Sequence, residues 1–340
     1  MIWQTVRGHH QQVDKFRRAI RRGRMSHAYV FHGPSGIGKR LFARTLAQCL
    51  LCSKVPDEDL DACGECANCR QMAAGTHPDL LQLGCPEGKA IFPIELIAGR
   101  REQRGREGLC HDIAMRPTSG DHRVAVIDDA DRFSPESGNA LLKTLEEPPS
   151  YATLILLAEN SGALLSTIRS RSQLVRFHPL SEGDTAELLA ALGWTETADE
   201  ADAVAGLCDG SLTTAARLLD PDIRRLRETI RATLSQDDYH SAQVADAILE
   251  TIQARGDTPA QRKAAGWVVR FCIEFFAAGL RDIGETDAER LELLGRLIDR
   301  AAEAERNIAA NVQVALCLHA LFDDINHLRR EARVLPLPPH

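Results

Sequence analysis

The sequence lacks any hydrophobic run long enough to cross a membrane. No stretch approaches the roughly 18–20 apolar residues that a spanning helix needs. The first ten residues, MIWQTVRGHH, contain no apolar segment of signal-peptide length either. We therefore expect a soluble, cytoplasmic protein that has no membrane partner.

The sequence also lacks an excess of positive charge. Its formal net charge is -7, from 41 Lys and Arg against 48 Asp and Glu, so the chain as a whole is not a basic nucleic-acid coat. One segment differs, because KFRRAIRRGR (Lys15 to Arg24) contains six basic residues and no acidic one. The segment is either a solvated helix face or a patch that faces phosphates, and the sequence leaves both interpretations open.

Wholesale disorder and a disulfide framework can be excluded from composition. The chain has 340 residues, of which 44% are hydrophobic and 26% charged, so it can form packed cores in two or three domains. Ten cysteines are present, but thiols stay reduced in a long cytosolic chain. Half of them lie between Cys49 and Cys69, and this clustering needs another explanation.

A glycine loop dominates the N-terminal part. Residues 31–40 read FHGPSGIGKR and fit the phosphate-binding pattern G-x-x-x-x-G-K-[ST] until the last position. There the pattern requires a hydroxyl that ligates magnesium, and this chain has Arg40. An apolar run at 27–32 predicts a strand before the loop, and periodic apolar residues at 39–52 predict a helix after it. The loop residues are Gly33, Gly36, Gly38 and Lys39.

Polar residues follow two further predicted strands. Asp128 and Asp129 come directly after the apolar run VAVI, and Asn160 ends the run TLILLAEN. In doubly wound sheets, ligands bind beyond the carboxyl ends of the strands. The first acid at such a position usually serves magnesium and the second polarises the attacking water. With the glycine loop, these residues predict a nucleotide site.

The distribution of strands and helices divides the chain. Up to about residue 178, strands alternate with helices, which predicts a parallel α/β sheet of about five strands. One of these helices begins with Ser134 as its N-cap and Pro135 in its first turn. Beyond Pro179 the sequence is helical, with a linker candidate at Asp220–Pro221. Periodic apolar residues predict a helix over 306–325.

Three segments together resemble the clamp-loader branch of the AAA+ proteins: SHAYVFHGPSGIGK, IDDADRFSPESGNALLKTLEEPP and TIRSRSQ, which lie within 26–178. The resemblance implies a AAA+ P-loop NTPase-like domain at 1–178 with a zinc module at about 52–69. It also implies a helical lid at 179–220 and an all-α collar for oligomerisation at 221–340. Such subunits form a ring of five that binds ATP and loads a sliding clamp onto primed DNA. The implied partners are gamma/tau motor subunits, a delta subunit, the clamp and, through the assembled complex, primed DNA.

The chain departs from the family at the residues that hydrolyse ATP. Besides Arg40, it has Asp129 where family motors usually have glutamate. Thr214 takes the place of an arginine that senses the γ-phosphate, and Arg217 is out of register by three. We therefore expect a degenerate nucleotide site that binds ATP and magnesium weakly or not at all. The chain would act within a DNA polymerase holoenzyme without ATPase activity of its own.

An arginine that serves a neighbouring subunit is retained. Ser170, Arg171 and Ser172 match the family motif S-R-C, with the cysteine replaced and the arginine kept. By this resemblance Arg171 is an arginine finger, supplied in trans to ATP held by the adjacent motor subunit. Arg169, two residues earlier, is the rival candidate.

The clustered cysteines have the spacing of a zinc site. Cys63, Cys66 and Cys69 form C-x-x-C-x-x-C, and Cys52 precedes them. Four thiolates satisfy tetrahedral zinc, and closed coordination of this kind is structural. Clamp-loader subunits of this branch contain a zinc module here. Cys49 is the rival first ligand, and a redox role fits less well because a third cysteine follows at the same interval.

Two other functions stay open at the level of sequence. One is an active ATPase subunit of the gamma/tau type, against which Arg40, Asp129 and Thr214 argue. The other is a free-standing, zinc-dependent DNA-binding module, which would leave Asp128, Asp129 and the SRS turn unexplained.

Overall fold

The computed structural model describes residues 2–86, 89–236, 238–254, 258–282 and 287–331. The chain forms two compact units, Met1–Ala216 and Arg217–His340. Within the described ranges, no helix is both long enough and apolar enough to span a membrane.

The first unit contains a five-stranded sheet. Its strand order is β2-β3-β4-β1-β5, and every neighbouring pair is parallel, so the predicted α/β class is confirmed. Four strands lie in the segments that the apolar runs predicted. The fifth, at the sheet edge, has no assignment from sequence, and none of its four residues is fully buried. The strands are β1 (Ala28–His32), β2 (Leu80–Leu83), β3 (Arg123–Ile127), β4 (Ala152–Ala158) and β5 (Gln173–Arg176).

Helices cover both faces of this sheet. On one face, Phe16 and Phe42 pack against Phe31 of β1, with ring centroids 5.7 and 5.6 Å from it. On the other face, Leu141 and Ile168 are fully buried against strands β1, β3 and β4. The sheet is therefore the middle layer of three. The helices are α1 (His10–Arg21), α2 (Lys39–Leu50), α3 (Ala67–Ala74), α4 (Ile94–Ala98), α5 (Leu109–Ala114), α6 (Pro135–Glu146), α7 (Ser166–Arg169), α8 (Glu182–Ala191), α9 (Ala198–Ala205) and α10 (Leu212–Leu218).

Helix α6 begins as its sequence predicts. The Ser134 hydroxyl accepts a hydrogen bond from the Ser137 N–H at 3.1 Å, which satisfies a backbone donor in the first turn. Pro135 follows in the first helical position, where its missing N–H costs nothing. The helix ends at Glu146, before two prolines that cannot continue it.

The second unit is helical throughout its described residues. Phe276, Leu297 and Phe322 are fully buried and come from three different helices of its core. The Asp220–Pro221 pair, a linker candidate by sequence, is a helix start: the Asp220 carboxylate caps the N–H groups of Asp222 and Ile223. The helices are α11 (Pro221–Leu234), α12 (Ser241–Gln253), α13 (Thr258–Asp282), α14 (Ala288–Ala309) and α15 (Val314–Glu331).

The prediction of one continuous helix over 306–325 is wrong. Helix α14 ends at Ala309, and Asn311 adopts a left-handed φ of 67°. The guanidinium of Arg262 donates to the carbonyls of Ile308, Asn311 and Val312 at 3.0–3.2 Å. The break is therefore stabilised by a side chain distant in sequence, which periodicity does not detect.

Of the three predicted domains, the lid at 179–220 and the collar at 221–340 remain predictions as separate modules. The first unit includes α8, α9 and most of α10 together with the sheet, and its boundary follows Ala216.

Candidate functional site

A cavity of about 430 Å³ lies at the carboxyl edge of the sheet. Strands β1, β3 and β4 are neighbours in the sheet, so the segments that follow them converge at this edge. Six of the predicted nucleotide residues line the cavity, and Gly33 and Asn160 do not. Those that line it are Gly36, Gly38, Lys39, Arg40, Asp128 and Asp129.

The glycine loop adopts a backbone that only glycine tolerates well. Gly36 has a φ of 74°, and an added Cβ would lie 2.5 Å from the Ser211 hydroxyl. The N–H of Leu212 also donates to the Gly36 carbonyl at 2.9 Å. Thus the segment 211–213 packs directly against the glycine loop.

The Lys39 ammonium is already engaged by the loop itself. Its Nζ donates to the carbonyls of Gly33 and Pro34, each at 2.6 Å. Burial lowers the pKa of Lys39, although Glu159 and Asp131 act in the opposite direction. These two hydrogen bonds use two of the three ammonium donors, so one donor remains for a phosphate.

The Arg40 guanidinium forms an ion pair with the Asp128 carboxylate. Asp128 is the acid that the motif assigns to magnesium, so a fixed positive charge lies where the metal would be held. The Asp129 carboxylate forms an ion pair with Arg132, with 3.6 Å between Oδ1 and Nε. The Thr45 hydroxyl is buried and donates to the Leu41 carbonyl at 2.9 Å, so it cannot substitute. These residues do not fit a bound Mg²⁺, which requires near-octahedral oxygen ligands.

Asn160 and Thr214, two further residues that the sequence analysis singled out, have local structural roles. The Asn160 side chain accepts from the Gly162 N–H at 2.8 Å and caps a short turn. Thr214 donates its N–H to the Ser211 hydroxyl at 3.2 Å, while its neighbour Thr213 lines the cavity. Arg217 belongs to the second unit.

Sequence reasoning missed two acids that line the cavity, Asp131 and Glu159. The Glu159 N–H donates to the Asp131 carboxylate at 3.0 Å. Glu159 directly follows β4, so the rule that placed Asp128 beyond β3 would also have found it. With these two, four carboxylates and two cationic side chains line the cavity, which leaves it unfavourable for an anion.

Arg171 is held on the surface of the first unit. Its Nη2 lies 2.7 Å from Glu146 Oε1, and its Nη1 donates to the Thr167 carbonyl at 3.1 Å. Arg169 is exposed, and its guanidinium has no hydrogen bond or ion pair within the described part of the chain. The two rival arginines therefore differ, one being fixed and the other free in solvent.

The four predicted zinc ligands come together. Their sulfur atoms all lie within 4.8 Å of one another. The Sγ atoms of Cys52 and Cys63 are 3.7 Å apart, and those of Cys63 and Cys69 are 3.9 Å apart. A tetrahedral site with zinc–sulfur bonds of about 2.3 Å has sulfur–sulfur edges of about 3.8 Å, so the cluster fits zinc.

Hydrogen bonds to the sulfur favour an ionised thiol at Cys66. Burial acts to raise the pKa of the Cys66 thiol, but hydrogen bonds from the Cys69 N–H and from Ser53 lower it to about 6. Burial raises the pKa of Cys69 instead, so ionisation of all four thiols requires a cation.

The rival ligand Cys49 lies in the hydrophobic core. It is 1% exposed, and burial raises the pKa of its thiol far above the ordinary value. Asn68, between two of the predicted ligands, supports the cluster through its side chain. Its side chain donates to the Leu51 carbonyl at 2.8 Å and accepts from the Ser119 hydroxyl at 3.0 Å.

Comparisons with known proteins identify the family. A model of the family described as DNA polymerase III, delta subunit, matches residues 8–181, just over half of the chain. The chain is 32% identical over 209 residues to DNA polymerase III subunit delta' of Pseudomonas aeruginosa, which covers 62% of this chain and 60% of that protein. It is also 32% identical over 295 residues to DNA polymerase III subunit tau of Escherichia coli, which covers 85% of this chain and 42% of tau.

Among solved structures, a gamma subunit-related protein of Thermotoga maritima aligns with a TM-score of 0.42 and 15% identity, covering 94% of this chain and all of that one. That alignment is too distant to support a functional conclusion. The chain spans less than two thirds of the length of the two relatives in sequence. The family match over residues 8–181 is decisive: the chain belongs to the DNA polymerase III delta-subunit family, and a delta' subunit is among its relatives in sequence.

Proposed function

We propose that this chain acts in DNA replication as a ring subunit that helps load the sliding clamp onto primed DNA. It would assemble with gamma/tau motor subunits and a delta subunit. Its own nucleotide site would be degenerate, and it would supply Arg171 in trans to the site of the neighbouring motor subunit. The observation that carries this proposal is the ion pair between Arg40 and Asp128 inside the chain's own cavity.

One contact and the charge balance oppose binding of a magnesium nucleotide in that cavity. Arg40 would have to leave Asp128, and four carboxylates against two cationic side chains line the cavity. Even then, Arg40 would repel the metal ion, because like charges at close range cost several kcal/mol. The loop is thus better explained as a folded strand-to-helix turn than as a working phosphate site.

The second candidate is an active ATPase of the gamma/tau type. The likeness to a tau subunit over 85% of the chain favours it. Arg40 distinguishes the two candidates, since a motor subunit needs a magnesium ligand at that position.

The proposal extends to the modules around the sheet. The cysteine cluster would hold one structural zinc ion through Cys52, Cys63, Cys66 and Cys69. Helices α8 to α10 would form the lid at 179–220, and the residues 221–340 would form the collar that closes the ring. The family match disfavours a free-standing, zinc-dependent DNA-binding module, because it extends over the glycine loop, Asp128 and Asp129.

The lone chain should show negligible ATPase activity, and Lys39→Ala should change it little. Arg40→Thr should free Asp128 and tighten binding of magnesium–ADP by about tenfold or more, because a repelling cation is exchanged for a hydroxyl ligand. It should not create an efficient ATPase, since Asp129 and Thr214 remain. Calorimetric titration and steady-state hydrolysis would measure both effects. Robust magnesium-dependent turnover by the unaltered chain would establish the gamma/tau-type alternative.

Reconstitution tests the role in the ring. The full chain, mixed with motor and delta subunits, should form one complex on gel filtration and should be required for clamp loading. A chain truncated after residue 220 should keep a folded sheet by circular dichroism, because the first compact unit ends near there, but should not join the ring. Normal assembly by the truncated chain would contradict the role assigned to the collar.

A further inference from the structure

Arg171 is fixed by acceptors from two separate elements. The Thr167 carbonyl and the Ser170 hydroxyl come from its own turn, and each accepts from Nη1, at 3.1 and 3.3 Å. The third acceptor, Glu146, is the last residue of α6 and lies 2.7 Å from Nη2. The ion pair therefore links the arginine to a helix that ends 25 residues earlier in the sequence.

Helix α6 and the turn that contains α7 pack closely against each other. An added Cβ on Gly138 of α6 would lie 2.4 Å from Leu165 Cδ1 and 3.4 Å from Ile168 Cδ1, at the start of and within α7. Gly138 and Ile168 are themselves buried. The turn that carries Arg171 is thus anchored on α6 at one point by packing and at a second by Glu146.

This arrangement leaves the arginine able to bind a phosphate. A guanidinium has five N–H donors, of which the three contacts use three. The N–H at Nε and one at Nη2 remain, and two such donors are what bidentate recognition of a phosphate needs. An arginine without these contacts would lose rotamer freedom on binding, so fixing it beforehand removes part of that cost.

We propose that Glu146 is a positioning residue for Arg171, which holds the guanidinium in the orientation that the neighbouring nucleotide site requires. The inference rests on the proposed role of Arg171 as an arginine finger. Glu146 acts through Arg171 and does not touch nucleotide. The next residue, Glu147, supplies a matched control, because it is also exposed and its side chain has no partner within the described residues.

The test uses complete rings with motor and delta subunits, built with each variant of this chain. Glu146→Ala should lower kcat of the DNA-stimulated ATPase by about tenfold and change KM for ATP by less than about twofold, because positioning acts on the transition state. Glu146→Gln keeps an acceptor oxygen and should restore kcat to within about threefold of the unaltered ring. Glu147→Gln should match the unaltered ring in both constants.

The outcomes separate this inference from the proposed finger. An unchanged or raised kcat with Glu146→Ala, in rings that Arg171→Ala does impair, would overturn the role of Glu146 alone. If Arg171→Ala has no effect either, the finger itself is wrong and Glu146 loses its role with it. A fall in kcat that Glu146→Gln does not restore, with a lowered melting temperature of the isolated chain, would indicate a structural role and also overturn the proposal.

Discussion

Cys66→Ser or Cys69→Ser should remove zinc from the protein and destabilise it by more than about 4 kcal/mol, because the binding free energy of a structural metal is folding free energy. The purified chain should contain one zinc ion per molecule by elemental analysis. Cys66 is the N-cap of α3, and Cys69 follows in its first turn, so loss of the metal should release that helix from Cys52 at the end of α2. Urea unfolding with and without a chelator would measure the loss.

The matched control is Cys49→Ala. Cys49 is one helical turn from Cys52, but its thiol is buried in the core and is not among the four clustered sulfur atoms. We expect this variant to lose some stability from the missing sulfur while keeping its zinc. A protein that contains no metal, or one whose stability is unchanged when zinc is stripped, would exclude the structural site.

The sheet could be predicted because its strands are continuous apolar runs followed by polar residues. Strands β1, β3 and β4 are buried on both faces, so each stands out as a short hydrophobic segment. Strand β2 lies at an edge and is only half-buried, and no such contrast marks it. The break after α14 depends on Arg262, whose partners are 46 to 50 residues away. The spacing of apolar residues describes a single helix and gives no information on a hydrogen bond from a side chain in another helix.

The sequence indicates which residues form the candidate site, but not which side chains they contact. The motif shows that Arg40 replaces a hydroxyl, and the structure adds that its guanidinium pairs with Asp128. Spacing alone left Cys49 and Cys52 as rival ligands, and burial places Cys49 in the core. Glu146 could not be assigned, because nothing in the sequence connects the end of α6 to Arg171. Side-chain contacts between elements therefore account for most of what sequence reasoning missed.

Arg171→Ala should leave the fold, zinc content and ring assembly unchanged and lower ATP-dependent clamp loading by the complete ring. A finger stabilises charge on the phosphoryl group in the transition state and contributes about 10³–10⁵ in rate in other NTPases. Since other sites in the ring keep their own arginines, we expect a loss of about a hundredfold or less in the overall loading rate. Stopped-flow measurement of clamp loading would show it, with gel filtration to verify that the variant joins the ring.

Two further variants decide which arginine acts and how. Arg169→Ala removes an exposed guanidinium that has no partner among the described residues, and it should leave loading nearly unchanged. Arg171→Lys keeps the charge, but an ammonium cannot maintain contact with Glu146, Thr167 and a phosphate through a planar fork, so rescue should be poor. If Arg169→Ala is the damaging change, the finger has been assigned to the wrong residue. If neither alanine variant slows loading, this subunit contributes no arginine to its neighbour, and the persistence of the SRS turn must be explained by packing of α7 on α6 alone.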